Sequence, residues 1–230
     1  MKTAVYLLNT DPEREPAFAS ELRMEELTAG LSRNRQEKIR AMKMPGAKRL
    51  SLGAGLLLAH GLEQLGIREQ QAVLEYRKNG KPYLKDYPEI YFNLSHSGTM
   101  AMAVFADVET GCDIEQTGRG REQVARRFFT PQEQEYLGHA GDESAWAQAF
   151  CRIWTMKEAF LKVTGEGARI PLTDFCVHPE ADPVTVVWKG KEQPFDFYEI
   201  PVTGYRCTLC MARRSGKAAE PPGISWVALD

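Results

Sequence analysis

The chain has 230 residues, 43% of them apolar and 26% charged, with a formal net charge of −2. That is enough chain and enough apolar content for a substantial core in one or two domains, which excludes a disordered or fibrous class. The slightly negative charge excludes a nucleic-acid binder that works through bulk positive charge.

In chain order, residues 4–8 form a short apolar strand, too brief for a signal peptide before Asp11. Pro12 and Pro16 break the chain, and helical patterns follow over residues 21–31 and 32–44. Ser32 stands as N-cap of the second, and Pro45-Gly46 is expected to close it. Residues 47–65 make a third helix, with Leu52, Leu56, Leu57 and Leu62 at helical spacing and Gly66 at its end. Strands over 73–77 and 91–94 flank the turn Lys78-Asn79-Gly80-Lys81-Pro82. An apolar run over 99–106 reads as a buried strand, and 110–115 follows as another. Past Glu115 the order restarts, with helices over 122–129, 131–137 and 143–163 and then several strands between 175 and 227. Thr130-Pro131-Gln132-Glu133 has the form of a capping box with proline first. Both halves read as helices then strands. The expectation is an α+β protein of two similar halves, 1–108 and 109–230, with an exposed, loosely held tail over 213–223. No stretch approaches the roughly eighteen apolar residues of a membrane span.

Two segments carry the chemistry. Gly111-Cys112-Asp113-Ile114-Glu115 reads as a strand, so Asp113 and Glu115 share one face and Ile114 takes the other. Trp154-Thr155-Met156-Lys157-Glu158-Ala159-Phe160-Leu161-Lys162 reads as a helix, with Glu158 and Lys162 one turn apart. Three carboxylates and a lysine suit a hard divalent cation held against a phosphorylated substrate. Each carboxylate alone reads as a surface charge or half of a salt bridge, but placing two like charges in an apolar strand is costly without a cation, which sets the metal reading level with that one. Phe92-Asn93-Leu94-Ser95-His96-Ser97-Gly98 ends a strand in small polar groups able to meet a phosphate. A Ser/His/Asp hydrolase is disfavoured, because there is no G-x-S-x-G elbow. Arg35, Lys38, Arg49 and Lys81 form a basic set whose interest depends on converging on one ligand. Glu133 reads as the partner of the Thr130 cap rather than as a base.

Five thinly spread cysteines fit a reducing cytosol, so a cytoplasmic protein is expected. Cys207 and Cys210 make a C-x-x-C, but residues three apart on a strand face opposite sides, and core packing is the reading.

In order, FNLSHSG, GCDIE, RFFTPQE and WTMKEAFLKVTGEG resemble the 4′-phosphopantetheinyl transferases, in the longer class that activates peptide and polyketide synthases. The resemblance extends from about Ser32 to about Pro171. It implies two fused α+β halves in pseudo-twofold arrangement with the active site at their interface. It also implies transfer of phosphopantetheine from coenzyme A to a serine of an apo acyl- or peptidyl-carrier protein, releasing adenosine 3′,5′-bisphosphate. Asp113, Glu115 and Glu158 match the family's Mg²⁺ carboxylates, with Mn²⁺ as the alternative ion. Lys162 matches the lysine near the pyrophosphate, and Glu158 and Lys162 are the expected catalytic pair. Ser95 and His96 match coenzyme A contacts, as do Lys81 in Gly-Lys-Pro and Arg49; Asp113 and Lys162 complete that set. Arg35 and Lys38 fall where basic residues meet the 3′-phosphoadenosine end. Cys112 and Ala159 stand where a branched aliphatic and a serine are common, and neither change removes a polar ligand. By the same analogy the chain is a monomer whose partners are coenzyme A and an acidic carrier protein, without nucleic acid or membrane. The rival readings are a coenzyme A or nucleotide binder without transfer, and a Mg²⁺-dependent phosphohydrolase.

Overall fold

A computed structural model of the chain describes residues 1–118, 121–213 and 220–229. The chain divides into two compact units. One comprises Met1–Arg77, Pro82–Asp107 and the segment from Pro222 on; the other comprises Lys78–Lys81 and Val108–Pro221. Both mix helices and strands, so the α+β class holds for each. Relative to the halves 1–108 and 109–230, two short segments are placed differently, the Lys78–Lys81 turn and the closing strand.

In the first unit β1 (Ala4–Asn9) is followed by α1 (Glu21–Ala29), whose N-cap Ser20 accepts from the Arg23 amide at 3.2 Å. Helix α2 (Arg33–Arg40) has Ser32 at its N-cap position, yet the hydroxyl does not cap it. The Ser32 amide and hydroxyl both donate to the Glu69 carboxylate, each at 2.6 Å. Pro45 does not close α2; it opens α3 (Pro45–Glu63). Proline suits the first turn because its missing N–H has no helical acceptor there. Past the end of α3, Gly66 takes φ 75°, and the Ile67 amide returns to Leu62 O at 2.9 Å. That left-handed residue is what a glycine stop provides.

Strands β2 (Leu74–Tyr76) and β3 (Pro82–Leu84) pair around the Lys78–Lys81 turn. Strand β4 (Tyr91–Ser97) runs three residues beyond its expected end and joins the wholly buried β5 (Met100–Ala106) in a hairpin. Gly98 at φ 59° makes that turn possible. Helix α3 packs on β5, where a Cβ on Gly61 would lie 2.0 Å from the Phe105 ring. Leu8, Leu52, Leu57, Leu58, Phe92 and Phe105 belong to the resulting core.

The second unit begins with β6 (Thr110–Gln116) and the helices α4 (Glu122–Phe128), α5 (Pro131–Gly138) and α6 (Glu143–Thr164). Helix α6 has Asp142 as N-cap, accepting from the Ala145 amide at 2.8 Å, and Gly165 at φ 69° as C-cap. Strands β7 (Phe175–His178), β8 (Thr185–Trp188), β9 (Lys191–Glu192), β10 (Phe195–Glu199) and β11 (Tyr205–Ala212) follow. The sheet order is β10-β11-β6, with β7-β8-β9 separate. Helix α6 packs on β6 and β11, and its Ile153, Met156, Phe160 and Val163 belong to the core of this unit. Finally β12 (Gly223–Trp226) pairs in parallel with β1, completing the first unit's sheet in the order β12-β1-β5-β4.

Of the expected loose tail, residues 214–219 lie outside the described residues. Arg213 is bonded to Asp196 at 2.8 Å, and Gly223 is already in β12. All five cysteines are free thiols, and Cys207 and Cys210 are both buried in β11. No described helix is long and apolar enough to cross a membrane.

Candidate active site

Alternation along β6 puts Gly111, Asp113 and Glu115 on one face. Helix α6 lies directly against that face. A Cβ on Gly111 would sit 2.4 Å from both the Ala159 carbonyl oxygen and the Val163 nitrogen, so only hydrogen fits between strand and helix backbone. This close approach brings the helix-borne groups to the strand-borne carboxylates. The Lys162 ammonium donates to Asp113 Oδ1 at 2.6 Å and to the Cys112 carbonyl at 2.9 Å. Asp113 is 6% exposed, while Glu115, Glu158 and Lys162 are half-buried.

The electrostatics bind these four residues into one site. Burial, and next the negative charge of Asp113, push the Glu158 carboxyl above the ordinary carboxylate range; Lys162 opposes this and Glu115 adds to it. Burial works to lower the Lys162 pKa, but the Asp113 charge and hydrogen bond outweigh it and the net direction is upward. The ammonium is therefore held charged between acidic neighbours. Among the described residues no three His, Cys, Asp or Glu side chains already converge as a metal-holding group. The donor set nevertheless fits Mg²⁺, a hard ion that takes a few carboxylates and completes its octahedron with waters and substrate phosphates.

Other basic and acidic groups of this unit have different duties. The Lys81 ammonium donates to Glu109 Oε2 at 2.8 Å, Thr110 O at 3.0 Å and Val163 O at 3.3 Å. Three hydrogens are thereby committed, and the Lys81 side chain ties its turn to the start of β6 and the end of α6. Glu133 makes both bonds of the capping box with Thr130 and also receives Lys157 at 2.7 and 2.8 Å and the Val177 amide at 2.8 Å. The third Lys157 hydrogen goes to Phe175 O at 2.8 Å, and both side chains of the pair are 0% exposed. With its oxygens so occupied and solvent excluded, Glu133 is a structural anchor. Thr155 on α6 and Thr208 on β11 meet hydroxyl to hydroxyl at 2.9 Å. Sequence reasoning passed over Gly111, Lys157 and this threonine pair. A glycine inside a strand was the available signal, since it often marks close approach of another backbone.

The remaining candidates lie in the first unit. Arg35 and Lys38 are three apart on α2 and share a helix face. The Arg35 stem lies against Gly55 of α3, and burial lowers its pKa against the raising charges of Glu69 and Tyr76. Lys38 is exposed, and Arg49 is half-buried on α3. Ser95 and His96 are neighbours in β4 and therefore face opposite ways; Ser95 is buried and His96 exposed.

Comparison with known proteins agrees with this geometry. Residues 109–210, which contain Asp113, Glu115, Glu158 and Lys162, match the model of the 4′-phosphopantetheinyl transferase superfamily. The chain is 31% identical to the 4′-phosphopantetheinyl transferase Sfp of Bacillus subtilis (strain 168), over 79% of this chain and 82% of that one. It is 27% identical to the 4′-phosphopantetheinyl transferase gsp of Aneurinibacillus migulanus, over 80% and 77% of the two chains. The 4′-phosphopantetheinyl transferase HetI of Nostoc sp. (strain PCC 7120 / SAG 25.82 / UTEX 2576) is 35% identical over 67% and 68%. Strand-borne and helix-borne carboxylates beside a charged lysine are a donor set of the kind that suits a phosphate-handling enzyme. Likeness over this much of both chains specifies which: the protein belongs to the 4′-phosphopantetheinyl transferase superfamily and is a phosphopantetheinyl transferase.

Proposed function

We propose that this transferase moves the 4′-phosphopantetheine arm of coenzyme A to a serine hydroxyl of an apo acyl- or peptidyl-carrier protein, with Mg²⁺ held by Asp113, Glu115 and Glu158. One observation carries the reading. The Lys162 ammonium on α6 donates to the buried Asp113 on β6 at 2.6 Å, with Glu115 on the same strand face as Asp113 and Glu158 one turn from Lys162 on the helix packed against that strand. Bound there, Mg²⁺ supplies neutralisation of the pyrophosphate and of the charge that builds on the leaving phosphate.

In the reaction the serine oxygen bonds to the phosphorus carrying the pantetheine arm. The bond from that phosphorus to the bridging oxygen breaks, and the oxygen leaves with its electron pair on adenosine 3′,5′-bisphosphate. Glu158 receives the serine proton, directly or through a water, a contribution typically of ~10²–10⁴-fold. Lys162 donates to the leaving phosphate and stabilises its charge. Asp113 keeps that ammonium charged and oriented.

Arg35 and Lys38 are assigned to the 3′-phosphoadenosine end, and Arg49, Ser95 and His96 to further coenzyme A contacts. Lys81 joins them only by exchanging Glu109 for a substrate phosphate. The enzyme is expected to act as a cytoplasmic monomer on an acidic carrier. The test is incubation with coenzyme A, Mg²⁺ and an apo carrier protein, followed by intact mass. Gain of one phosphopantetheine by the carrier supports the reading. Nucleotide release without carrier modification would make the protein a phosphohydrolase, and no change at all would leave a coenzyme A binder.

A further inference from the structure

Helix α6 is fastened to its sheet at the end bearing Lys162, by the Gly111 approach and the Lys162–Asp113 bond. Glu158 lies one turn before Lys162, and the neighbouring Lys157 holds the other side of the helix to Glu133 and the Phe175 carbonyl. A further fastening of α6 to the sheet itself exists on the N-terminal side of Glu158. Thr155, one turn before it, is 0% exposed, and Thr208, 1% exposed, stands directly across the strand pair from Asp113. Their hydroxyls are 2.9 Å apart, and Thr155 Oγ1 is 3.1 Å from the Arg152 carbonyl. A hydroxyl has one hydrogen; that of Thr155 goes to Arg152 O, so that of Thr208 goes to Thr155. The chain of bonds thus has a direction and runs from the cross-strand neighbour of Asp113 into the helix turn before Glu158.

We propose that Thr155 and Thr208 are positioning residues, a hydroxyl clasp that fixes the α6 turn before Glu158 to the strand beside Asp113 and so sets how Glu158 meets Mg²⁺ and substrate. The inference rests on the functional reading above. Side chains that orient metal ligands without touching the metal commonly cost 10–100-fold in affinity or activity when changed. A clasp of two hydroxyls can be replaced by two methyls of the same shape at little cost in stability, whereas one hydroxyl facing one methyl leaves a buried polar group unsatisfied. Stability and positioning are separable on that basis.

The experiment uses Thr155→Val, Thr208→Val, the double valine variant, and Thr155→Ser with Thr208→Ser. Mn²⁺ affinity is titrated by electron paramagnetic resonance with coenzyme A present; melting temperature and carrier-modification kinetics are measured alongside. Each single valine variant is expected to weaken Mn²⁺ binding and lower kcat by roughly 10-fold, with KM for coenzyme A little changed. The serine variants retain both. The double variant regains the melting temperature but neither Mn²⁺ affinity nor kcat. If a single valine variant does not fold, the double and serine variants carry the comparison. A double variant with wild-type affinity and turnover, or serine variants as impaired as the valines, would overturn the clasp alone. A wild-type protein that modifies no carrier with Mg²⁺ overturns the functional reading and the clasp with it.

Discussion

On the proposed reading three residues decide whether the site works, for three different reasons. Asp113 is buried, bonds Lys162 and raises the Glu158 pKa, so its removal would take away a proposed metal ligand and the lysine's anchor together. Asp113→Ala is expected to abolish carrier modification while circular dichroism stays unchanged; near-normal activity with Mg²⁺ would remove the central claim. Lys162→Ala should lower turnover more than it weakens coenzyme A binding, because its charge is needed most as the leaving phosphate forms. Steady-state kinetics checks this, and a rise in KM at constant kcat counts against it. Gly111→Ala places a methyl 2.4 Å from two backbone atoms of α6, which no side-chain rotation can relieve. Overpacking of this kind costs about 1–3 kcal/mol. We expect a lower melting temperature and a larger loss of activity than of stability, since the helix must move away from the carboxylates. Asp113, Glu115, Glu158 and Lys162 were legible as candidates from spacing alone. The duties of Gly111 and Asp113 toward α6 were not, because both depend on a helix about fifty residues away.

At the scale of elements, α6 and β6 were the most legible parts. The helix expected over 143–163 is observed as Glu143–Thr164, and the strand over 110–115 as Thr110–Gln116. Both have strong periodicity and local stops, which is where sequence patterns are informative. The correction at Pro45 shows the limit. A proline can stand just past one helix or at the first position of the next, and the residues around it fit either reading. Lys157 shows another. A lysine on a helix is normally solvated, yet here it is 0% exposed and paired with Glu133. This ion pair links the N-cap of α5 and the start of β7 to the turn of α6 that carries Glu158. Removing one partner of a buried pair costs about 3–5 kcal/mol, because the other charge is left behind. Lys157→Met is therefore expected to lower unfolding stability by about that amount in urea denaturation. A loss within the range of an ordinary surface substitution would show that the pair is not an anchor.

For the molecule as a whole, two outcomes follow from the proposed chemistry and the packing. Chelation with EDTA should stop carrier modification, and added Mg²⁺ should restore it; activity undiminished in excess chelator would refute the assigned role of the carboxylates. Three of the five thiols, Cys112, Cys207 and Cys210, should be silent in the native protein. Burial pushes both Cys112 and Cys207 up to about 12 and Cys210 well above its usual value. Titration with a thiol reagent before and after denaturation should reveal those three only after unfolding. Rapid native labelling of them would contradict the packing of β6 and β11.

The sequence by itself determined what is local along the chain: the main helices, the shared face of Asp113 and Glu115, the Glu158–Lys162 turn, the capping box, and the family through motifs in order. Each depends on residues a few positions apart, where backbone geometry alone sets the spacing. Only the tertiary structure decided that Lys81 spends its hydrogens on Glu109, Thr110 and Val163, that Lys157 is buried on Glu133, and that the last strand returns to β1. Those outcomes pair groups far apart in the chain. A charge or an open strand edge is satisfied by whichever partner packing brings to it, and that choice is a property of the folded chain.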